Sequence, residues 1–254
     1  AQEVSAGATD IILYGTRSHG GIIIQEYVPG AEFGVFYYRY PECPTGHIFS
    51  ITRKQFPSVV GDGVHTLENL ILKDDRALCM ARVYFEAQRD PLWSVPGKDE
   101  PIQLIEIGTH CRGCIFLDGD EIKTEALEAA IDRVACGFDG FYFGRFDIRT
   151  PSLADFKQGK NFKVVELNGV TSEATHIYDP RNSLAAAYRV LFQQWRIAFE
   201  IGAQNRKQGI RPVTLRTLAS LVVQKWRRRV EKSDEEPPLV EVDSEYASEL
   251  PQES

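Results

Sequence analysis

The spacing of apolar residues predicts strands in the first two thirds of the chain and helices at its end. Phe33, Val35 and Tyr37 alternate with other residues, which is the period of a strand with one buried face. Pro and Gly residues then turn this strand into the next one. We predict three strands within residues 21–60, the last at 48–53, and further strands at 102–107 and 115–117.

Apolar residues three or four positions apart predict the helices. Thr66 and Thr124 can cap two of them, because a Thr side chain accepts hydrogen bonds from the backbone of the first helical turn. The predicted helices lie at 67–72, 74–87, 125–136, 183–207 and 215–230. On the helix at 183–207, we expect Tyr188, Trp195 and Phe199 to pack in the core.

Two polar pairs occupy matching places on a predicted hairpin within residues 144–170. Arg145 and Asp147 lie two apart on one strand, and Glu166 and Asn168 lie two apart on the other. Residues two apart share a face of a strand, so pairing would gather all four on one surface. Their oxygens suit Mg²⁺, and an adjacent Arg could stabilise a transferring phosphoryl group. A half-exposed hairpin whose charges only face water explains the same pattern equally well.

The order of these residues resembles the ATP-grasp superfamily, which includes D-alanine–D-alanine ligase, glutathione synthetase and cyanophycin synthetase. In that family an Asp and a later Glu-x-Asn bind metal, which implies this role for Asp147, Glu166 and Asn168. The Arg two before the Asp matches Arg145, which the resemblance makes catalytic. A preceding strand supplies the adenine-binding hinge, and a Glu after a Gly turn binds ribose. The matching residues are Gln25, Glu26, Tyr27 and Val28 at the hinge and Glu32 at the ribose.

A second segment, residues 54–67 with its Gly-Asp-Gly at 61–63, is similar to the branch of cyanophycin synthetase and bifunctional glutathione synthetase. In that branch a basic residue upstream faces the phosphates, which implies Lys54 first and Arg53 second. A loop near the active site corresponds to residues 110–114, so His110 and Arg112 become candidate substrate contacts. In the turn after Asn168, the candidates for contact with an amine substrate are Ser172 and Glu173.

The resemblance implies an α+β fold, the C-terminal subdomain of an ATP-grasp enzyme. We expect a mostly antiparallel sheet flanked by helices, with a C-terminal helical extension. The implied activity joins a carboxylate to an amine through an acyl phosphate, using ATP and Mg²⁺ or, alternatively, Mn²⁺. We expect a remnant of a missing subdomain at 1–20, the C-terminal subdomain at 21–180, the extension at 181–230 and a disordered acidic tail at 231–254. The missing partner would be the N-terminal part of the same protein, and the fragment alone would be inactive.

Composition restricts the partners further. The 254 residues are 43% hydrophobic, enough for one sizeable core. The chain contains no run of eighteen apolar residues, so we expect no membrane partner. Five irregularly spaced cysteines favour the cytoplasm. The net charge of −7 comes from residues 231–254, where nine acids and one Lys carry −8. The remainder is about +1, so bulk charge does not predict nucleic-acid binding. The sequence is also compatible with a homodimer.

Two other functional classes fit parts of the sequence. The chain could belong to an ATP-grasp protein that binds nucleotide without ligation, or to a kinase-like relative. It could instead be a non-catalytic zinc or interaction module built on Cys111 and Cys114, although a structural zinc site needs four ligands. Stoichiometric zinc in the purified protein would favour the second alternative.

Overall fold

In a computed structural model of the protein, the described residues are 26, 28–106, 108 and 110–233, without the side chains of 110 and 227–233. The chain divides into two compact units, and the first unit ends at Lys207 along the sequence. The remnant predicted at 1–20, the first predicted strand and the acidic tail from 234 onward lie outside the described residues.

Antiparallel strands form the centre of the first unit. Within the described residues, a five-stranded sheet has the order β5-β2-β1-β6-β7, and β3 and β4 form a separate pair. The strands are β1 Ala31–Tyr38, β2 His47–Gln55, β3 Ser58–Val60, β4 Pro101–Gln103, β5 Ile115–Asp118, β6 Phe143–Thr150 and β7 Lys163–Asn168. The predicted mixture of an antiparallel sheet and helices is therefore confirmed.

Helices lie between and after these strands. In the first unit they are α1 Leu67–Lys73, α2 Asp75–Leu78, α3 Ala81–Ala87, α4 Glu125–Cys136, α5 Leu153–Lys157 and α6 Leu184–Lys207. The second unit contains α7 Leu215–Ser233. Thr66 and Thr124 cap α1 and α4 as predicted, since their side chains accept from the backbone N–H of Asn69 and Leu127.

The single helix predicted at 74–87 is wrong, because the segment forms α2 and α3 with a break at residues 79–80. Asp74 starts the first piece by accepting hydrogen bonds from the N–H groups of Arg76 and Ala77 at 3.0 and 2.7 Å. Met80 then leaves the helical conformation at φ −123° before the second piece begins. Apolar periodicity alone did not reveal this break.

The strand predicted at 102–107 is also shorter than expected. Only Pro101–Gln103 pairs, with β3, a strand that was not predicted. Leu104 and Ile105 leave the pair and pack in a core with Ile71 and Tyr84. A short apolar run fits a buried strand and a buried segment outside a strand equally well, so the sequence did not show where the pairing ends.

The main core lies on one face of the five-stranded sheet. Phe33 and Phe146 on neighbouring strands pack against Leu127 of α4 and Phe156 of α5. The Phe33 and Phe156 rings stack with centroids 4.9 Å apart. Burial of each such side chain contributes about 1.5–3 kcal/mol, so this face anchors the sheet. The opposite face carries the polar residues Arg145 and Asp147 beside a second, smaller core that contains Phe36 and Phe143.

The helix predicted at 183–207 is present as α6, but the expected core stripe is wrong. Tyr188, Trp195 and Phe199 are 54%, 47% and 76% exposed. The packed face carries Ile201 and the fully buried Gln194, with Val190, Ile197 and Ala198 partly buried beside the sheet residues Phe36 and Phe143. This helix has two apolar stripes, and the stripe that packs contains Gln194, which hydrogen-bonds the turn after β7.

Candidate functional site

The two strands of the predicted hairpin pair, and the predicted polar residues face each other. Arg145 lies opposite Asn168, and Asp147 lies opposite Glu166. A β-bulge follows this second pair, between Asp147 and Ile148, so the two cross-strand pairs stay in register with each other. The strands therefore bring all four polar residues to one face of the sheet.

Two of these four residues have polar groups that form no hydrogen bond or ion pair with the described residues. Glu166 is exposed and makes no hydrogen bond or ion pair within the described residues. Nδ2 of Asn168 is buried and has no partner among the residues that the structure describes. A half-turn of the carboxamide would place its oxygen there instead, so Asn168 can present either a donor or an acceptor. Both residues are available to bind a ligand.

Asp147, in contrast, is buried and fully engaged. Only 4% of the residue is exposed, and its carboxylate accepts from Nε of Arg145 at 2.8 Å and from Nζ of Lys54 at 3.2 Å. On the neighbouring strand β1, the register partner of Asp147 is Gly34, and a Cβ at Gly34 would lie 3.1 Å from Cδ of Arg145. A larger residue would crowd Arg145 and the carboxylate that it holds.

Glu32 extends the charged group along β1. Its carboxylate accepts from Lys54 Nζ at 2.5 Å and from Arg149 Nε at 3.0 Å, and its side chain is 9% exposed. Lys54 and Arg149 are the register partners of Glu32 on the two adjacent strands. We call Glu32, Lys54, Arg145, Asp147 and Arg149 the charge cluster.

The charge cluster contains three cations and two carboxylates, a net charge of +1 among these described residues. Removing such charges from water costs several kcal/mol each unless they are paired and hydrogen-bonded. The ion pairs offset this cost, and the surplus positive charge favours an anionic ligand beside the cluster. Glu166 on the adjoining strand is outside the cluster and open to solvent.

Arg149 was missed in the sequence. It donates to Glu32, to the backbone oxygen of Val28 at 3.0 Å and to that of Glu106 at 2.7 Å, and its guanidinium lies over the Phe56 ring at 5.6 Å. Arg149 follows Arg145 and Asp147 with the same two-residue spacing along β6. That spacing places it on the same face and was the signal that could have found it.

The residues implied for adenosine binding are only partly described. Gln25 and Tyr27 lie outside the described residues. Glu26 is exposed and forms an ion pair with Lys163 on β7. Val28 is buried, and both its backbone oxygen and the carboxylate of Glu32 are already hydrogen-bonded to Arg149. A ribose that binds Glu32 would have to exchange with one of its present partners.

The two basic residues implied for phosphate binding point in different directions. Lys54 joins the charge cluster, whereas Arg53 is exposed and is the register partner of the core residue Phe33. Successive residues on a strand alternate between faces. Arg53 therefore lies on the opposite face of the sheet from Lys54.

The turn after β7 is tied to the site through its backbone. Nη1 of Arg145 donates to the oxygen of Glu173 at 3.3 Å, and Gln194 holds the oxygen of Ser172 at 3.1 Å. The Ser172 hydroxyl donates to Gly169 at 2.6 Å. The Glu173 side chain accepts from Tyr178 at 2.5 Å, a hydrogen bond that raises the pKa of Tyr178 to about 12. Of the two residues implied for amine binding, Glu173 contacts Arg145 through its backbone, and Ser172 immediately precedes it in the turn.

Gln194 is a second residue that was missed. Besides Ser172, it accepts from the N–H of Ala174 at 2.9 Å, and only 1% of it is exposed. The signal was a polar residue between Val190, Ile197 and Ile201 on the packed face of α6. A buried side-chain amide usually satisfies backbone groups, and here those groups belong to the turn beside the site.

Residues 110–112 form a short 3₁₀ turn before β5. The side chain of His110 lies outside the description. The backbone oxygen of Arg112 accepts from the Tyr84 hydroxyl at 3.2 Å, and no hydrogen bond or ion pair joins Arg112 to the charge cluster within the described residues. The role implied for His110 is therefore untested, and no hydrogen bond between Arg112 and Arg145 is present among the described residues.

The two cysteines of this turn lie in different surroundings. Cys111 is exposed, whereas Cys114 is buried, donates to the backbone oxygen of Gln55 at 3.2 Å and is in no disulfide. Burial raises the pKa of the Cys114 thiol to about 11, which disfavours the thiolate that metals and redox reactions use. Among the described residues, no group of three or more His, Cys, Asp or Glu side chains could hold a metal ion.

The donor set at β6 and β7 has a different composition and fits Mg²⁺ or Mn²⁺. Asp147 and Glu166 supply carboxylates and Asn168 supplies a carboxamide, on one face and in register. Mg²⁺ prefers one or two protein carboxylates and keeps its other positions for water and phosphate oxygens. The unpartnered amide of Asn168 and the open carboxylate of Glu166 are the observations that support the fit.

Comparisons with known proteins add a likeness to solved structures. No family model matches the chain, and no curated protein matches it. A bifunctional glutathione synthetase from Pasteurella multocida is similar in structure, with a TM-score of 0.41 and 19% identity over 67% of this chain and 25% of that chain. This chain thus spans about a quarter of that protein's length. A likeness at this level does not assign the chain to a family.

No helix in the described part of the chain is long and apolar enough to cross a membrane.

Proposed function

We propose that the face of the sheet carrying the charge cluster binds the phosphates of ATP together with Mg²⁺ or Mn²⁺. The observation that carries this proposal is the pairing of Arg145 and Asp147 with Asn168 and Glu166 across β6 and β7. Within the described residues, the carboxylate of Glu166 and the amide nitrogen of Asn168 have no partners, and both lie next to a cluster with surplus positive charge. Such a combination suits a metal ion that is shared between protein oxygens and phosphates.

We further propose that the chain is the C-terminal ATP-grasp subdomain of a ligase that joins a carboxylate to an amine. A carboxylate reacts with an amine only after one of its oxygens becomes a leaving group, and transfer of the γ-phosphoryl group of ATP to that oxygen achieves this. The acyl phosphate then loses phosphate when the amine attacks. The motif resemblance supports this reaction, and the paired strands support the placement of its charged residues.

Each site residue of the chain would have a separate role in this reaction. Lys54 and Arg145 would lie against the phosphates, where fixed positive charge stabilises negative charge that develops during transfer. Asp147, Glu166 and Asn168 would hold the metal, which when bound neutralises the phosphate oxygens. The hinge residues 25–28 and Glu32 would hold adenosine. The turn at 169–173, fixed by Arg145 and Gln194, would orient the amine substrate beside the reacting group.

The test measures ADP release by the complete protein to which this chain belongs, with and without candidate carboxylates. Glu166→Gln keeps the size and polarity of the side chain but removes a charge from the metal position, so turnover should fall by about 10²-fold or more. The matched control is Glu42→Gln, because Glu42 is exposed in the turn at the other end of β1 and β2. Its turnover should stay unchanged.

The outcomes separate the proposals. Wild-type turnover by the Glu166→Gln protein would end the metal-site assignment. ADP release without any ligated product would favour the alternative of a nucleotide-binding or kinase-like protein. Release that requires a carboxylate, yields an amide product and fails in the Gln variant supports the ligase.

A further inference from the structure

The helix α7 has a continuous apolar face from Leu215 to Trp226. At 100° per residue, Leu215, Leu218, Val222, Val223 and Trp226 fall within an arc of about 140°, and in the following turn the position of Arg229 falls within the same arc. Their exposed fractions run from 46% for Val223 to 84% for Leu215. Large apolar side chains that share one face are costly to leave in water, and such faces mark sites of interaction.

Cations border this apolar face and continue beyond it. Arg216 and Lys225 occupy the helical positions immediately outside the two edges of the arc. The helix sequence 215–233 contains six Lys or Arg and one Glu, a net charge of +5. Long cationic side chains at such borders can lay their stems along an apolar surface while their charges stay at the polar boundary. The partner should therefore be apolar inside and anionic at its border.

We propose that α7 binds the surface of a membrane that contains anionic lipids, lying in the plane of the headgroups with its apolar face inserted. Amphipathic helices with a basic polar face and with Leu and Trp on the other face bind membranes in this manner. Clusters of four to eight Lys or Arg on such helices favour anionic headgroups. The sequence-based expectation of no membrane partner rested on the lack of a spanning segment, and a helix lying on a surface needs none.

The acidic segment of the same chain is a less suitable occupant of this face. Residues 234–254 hold eight acids, which complement the cations of α7. Their apolar content near the helix is limited to Leu239, Val240 and Val242, which is too little to cover five large side chains. A lipid surface supplies both the anionic border and the apolar interior. Charges of the acidic segment more than about 8 Å from the surface are screened at physiological salt, so they oppose binding only weakly.

The test compares two substitutions that add the same negative charge to different faces of α7. Val222→Glu places a carboxylate in the centre of the apolar arc, and Gln224→Glu places it in the centre of the polar face. Glu is a good helix former, so circular dichroism should show the same helix content in both variants and in the wild type. The full 254-residue chain is sedimented with vesicles of phosphatidylcholine alone or with phosphatidylserine included.

Wild type should partition into the phosphatidylserine vesicles, and added salt should weaken the binding. Gln224→Glu should lower the partition coefficient by about fivefold at most, the effect of one surface charge. Val222→Glu should lower it by about a further tenfold, because it also removes apolar burial.

Equal losses in the two variants would overturn the proposal, since charge alone would then explain binding. Equal partitioning of the wild type into vesicles with and without phosphatidylserine would also overturn the proposal, as would the lack of any partitioning. Binding to an acidic protein or a nucleic acid without binding to vesicles would also overturn it.

Discussion

Asp147 and Glu166 face each other across β6 and β7 but lie in opposite surroundings. Asp147 is 4% exposed and accepts hydrogen bonds from Arg145 and Lys54, whereas Glu166 is exposed and makes no ion pair with the described residues. Glu166 is thus free to bind a metal ion, whereas Asp147 would have to exchange one of its present partners to do so.

The first prediction concerns the stability effects of these two carboxylates. Asp147→Asn should lower the free energy of unfolding by about 3 kcal/mol or more, because it leaves buried cations without their counter-charge. Glu166→Gln should change it by less than about 0.5 kcal/mol, as expected for an exposed side chain without partners. Urea unfolding curves measure both. A large loss in the Glu166→Gln protein would show that Glu166 has a structural role.

The second prediction concerns Arg149 and its partner Glu32. Arg149→Met should cost about 3–5 kcal/mol of unfolding free energy, because it removes one partner of a buried carboxylate. Arg82→Met is the matched control, since Arg82 forms an exposed pair with Glu86 that contributes about 0–1 kcal/mol. A double-mutant cycle with Glu32→Gln measures the coupling directly. Additive losses would mean that Glu32 and Arg149 do not stabilise each other.

The third prediction concerns pH and Asp179. This buried carboxylate accepts hydrogen bonds from Arg181 and from the N–H of Asp118, and the bonds from Arg181 hold its pKa well below its usual range. Because the pKa is lowered in the folded state, the stabilisation is present above pH 4 and is lost as the pH falls below the ordinary value of 3.8. Asp179→Asn should therefore flatten the acid limb of the stability curve. An unchanged acid limb in the Asn variant would contradict this assignment.

The fourth prediction concerns the thiol of Cys114. Its pKa of about 11 leaves little thiolate at pH 8, and burial blocks access, so iodoacetamide should modify it slowly in the folded protein. Cys43 and Cys79 are exposed and serve as internal controls that should react faster. In urea all of these thiols should react at similar rates. Fast modification of Cys114 in the folded protein, located by peptide mass mapping, would show that the turn opens readily. Because the folded state keeps the Cys114 thiol neutral while the unfolded state ionises it, the free energy of unfolding should fall as the pH rises above 9.

Local patterns predicted most of the elements but few of their boundaries. Period-two alternation found β1, turn residues located β2, and the spacing of polar residues found the hairpin. Thr66 and Thr124 marked two helix starts. The break at residues 79–80 and the short pairing of β4 were not predicted, because an apolar pattern reports burial without saying which kind of element is buried. On α6, periodicity fitted two apolar stripes, and the sequence did not show which of them packs against Phe36 and Phe143 of the sheet.

The candidate site was predicted as two pairs that a hairpin would bring to one surface, and the family resemblance added Glu32 and Lys54. Residues two apart on a strand share a face whatever surrounds them, so the sequence alone placed Arg145 with Asp147 and Glu166 with Asn168. The partners of Glu32 could not be predicted, because Arg149 lies 117 residues away along the chain and only strand register brings the two together.

The sequence by itself determined which side chains share a face, because that depends on the geometry of a single strand. Only the tertiary structure decided which of them are buried. β6 lies inside the sheet between β1 and β7, so Asp147 is covered and must be paired with cations. β7 lies at the edge of the sheet in the described part of the chain, so Glu166 stays open to solvent. Strand order is set by the packing of the whole domain, which no local pattern contains.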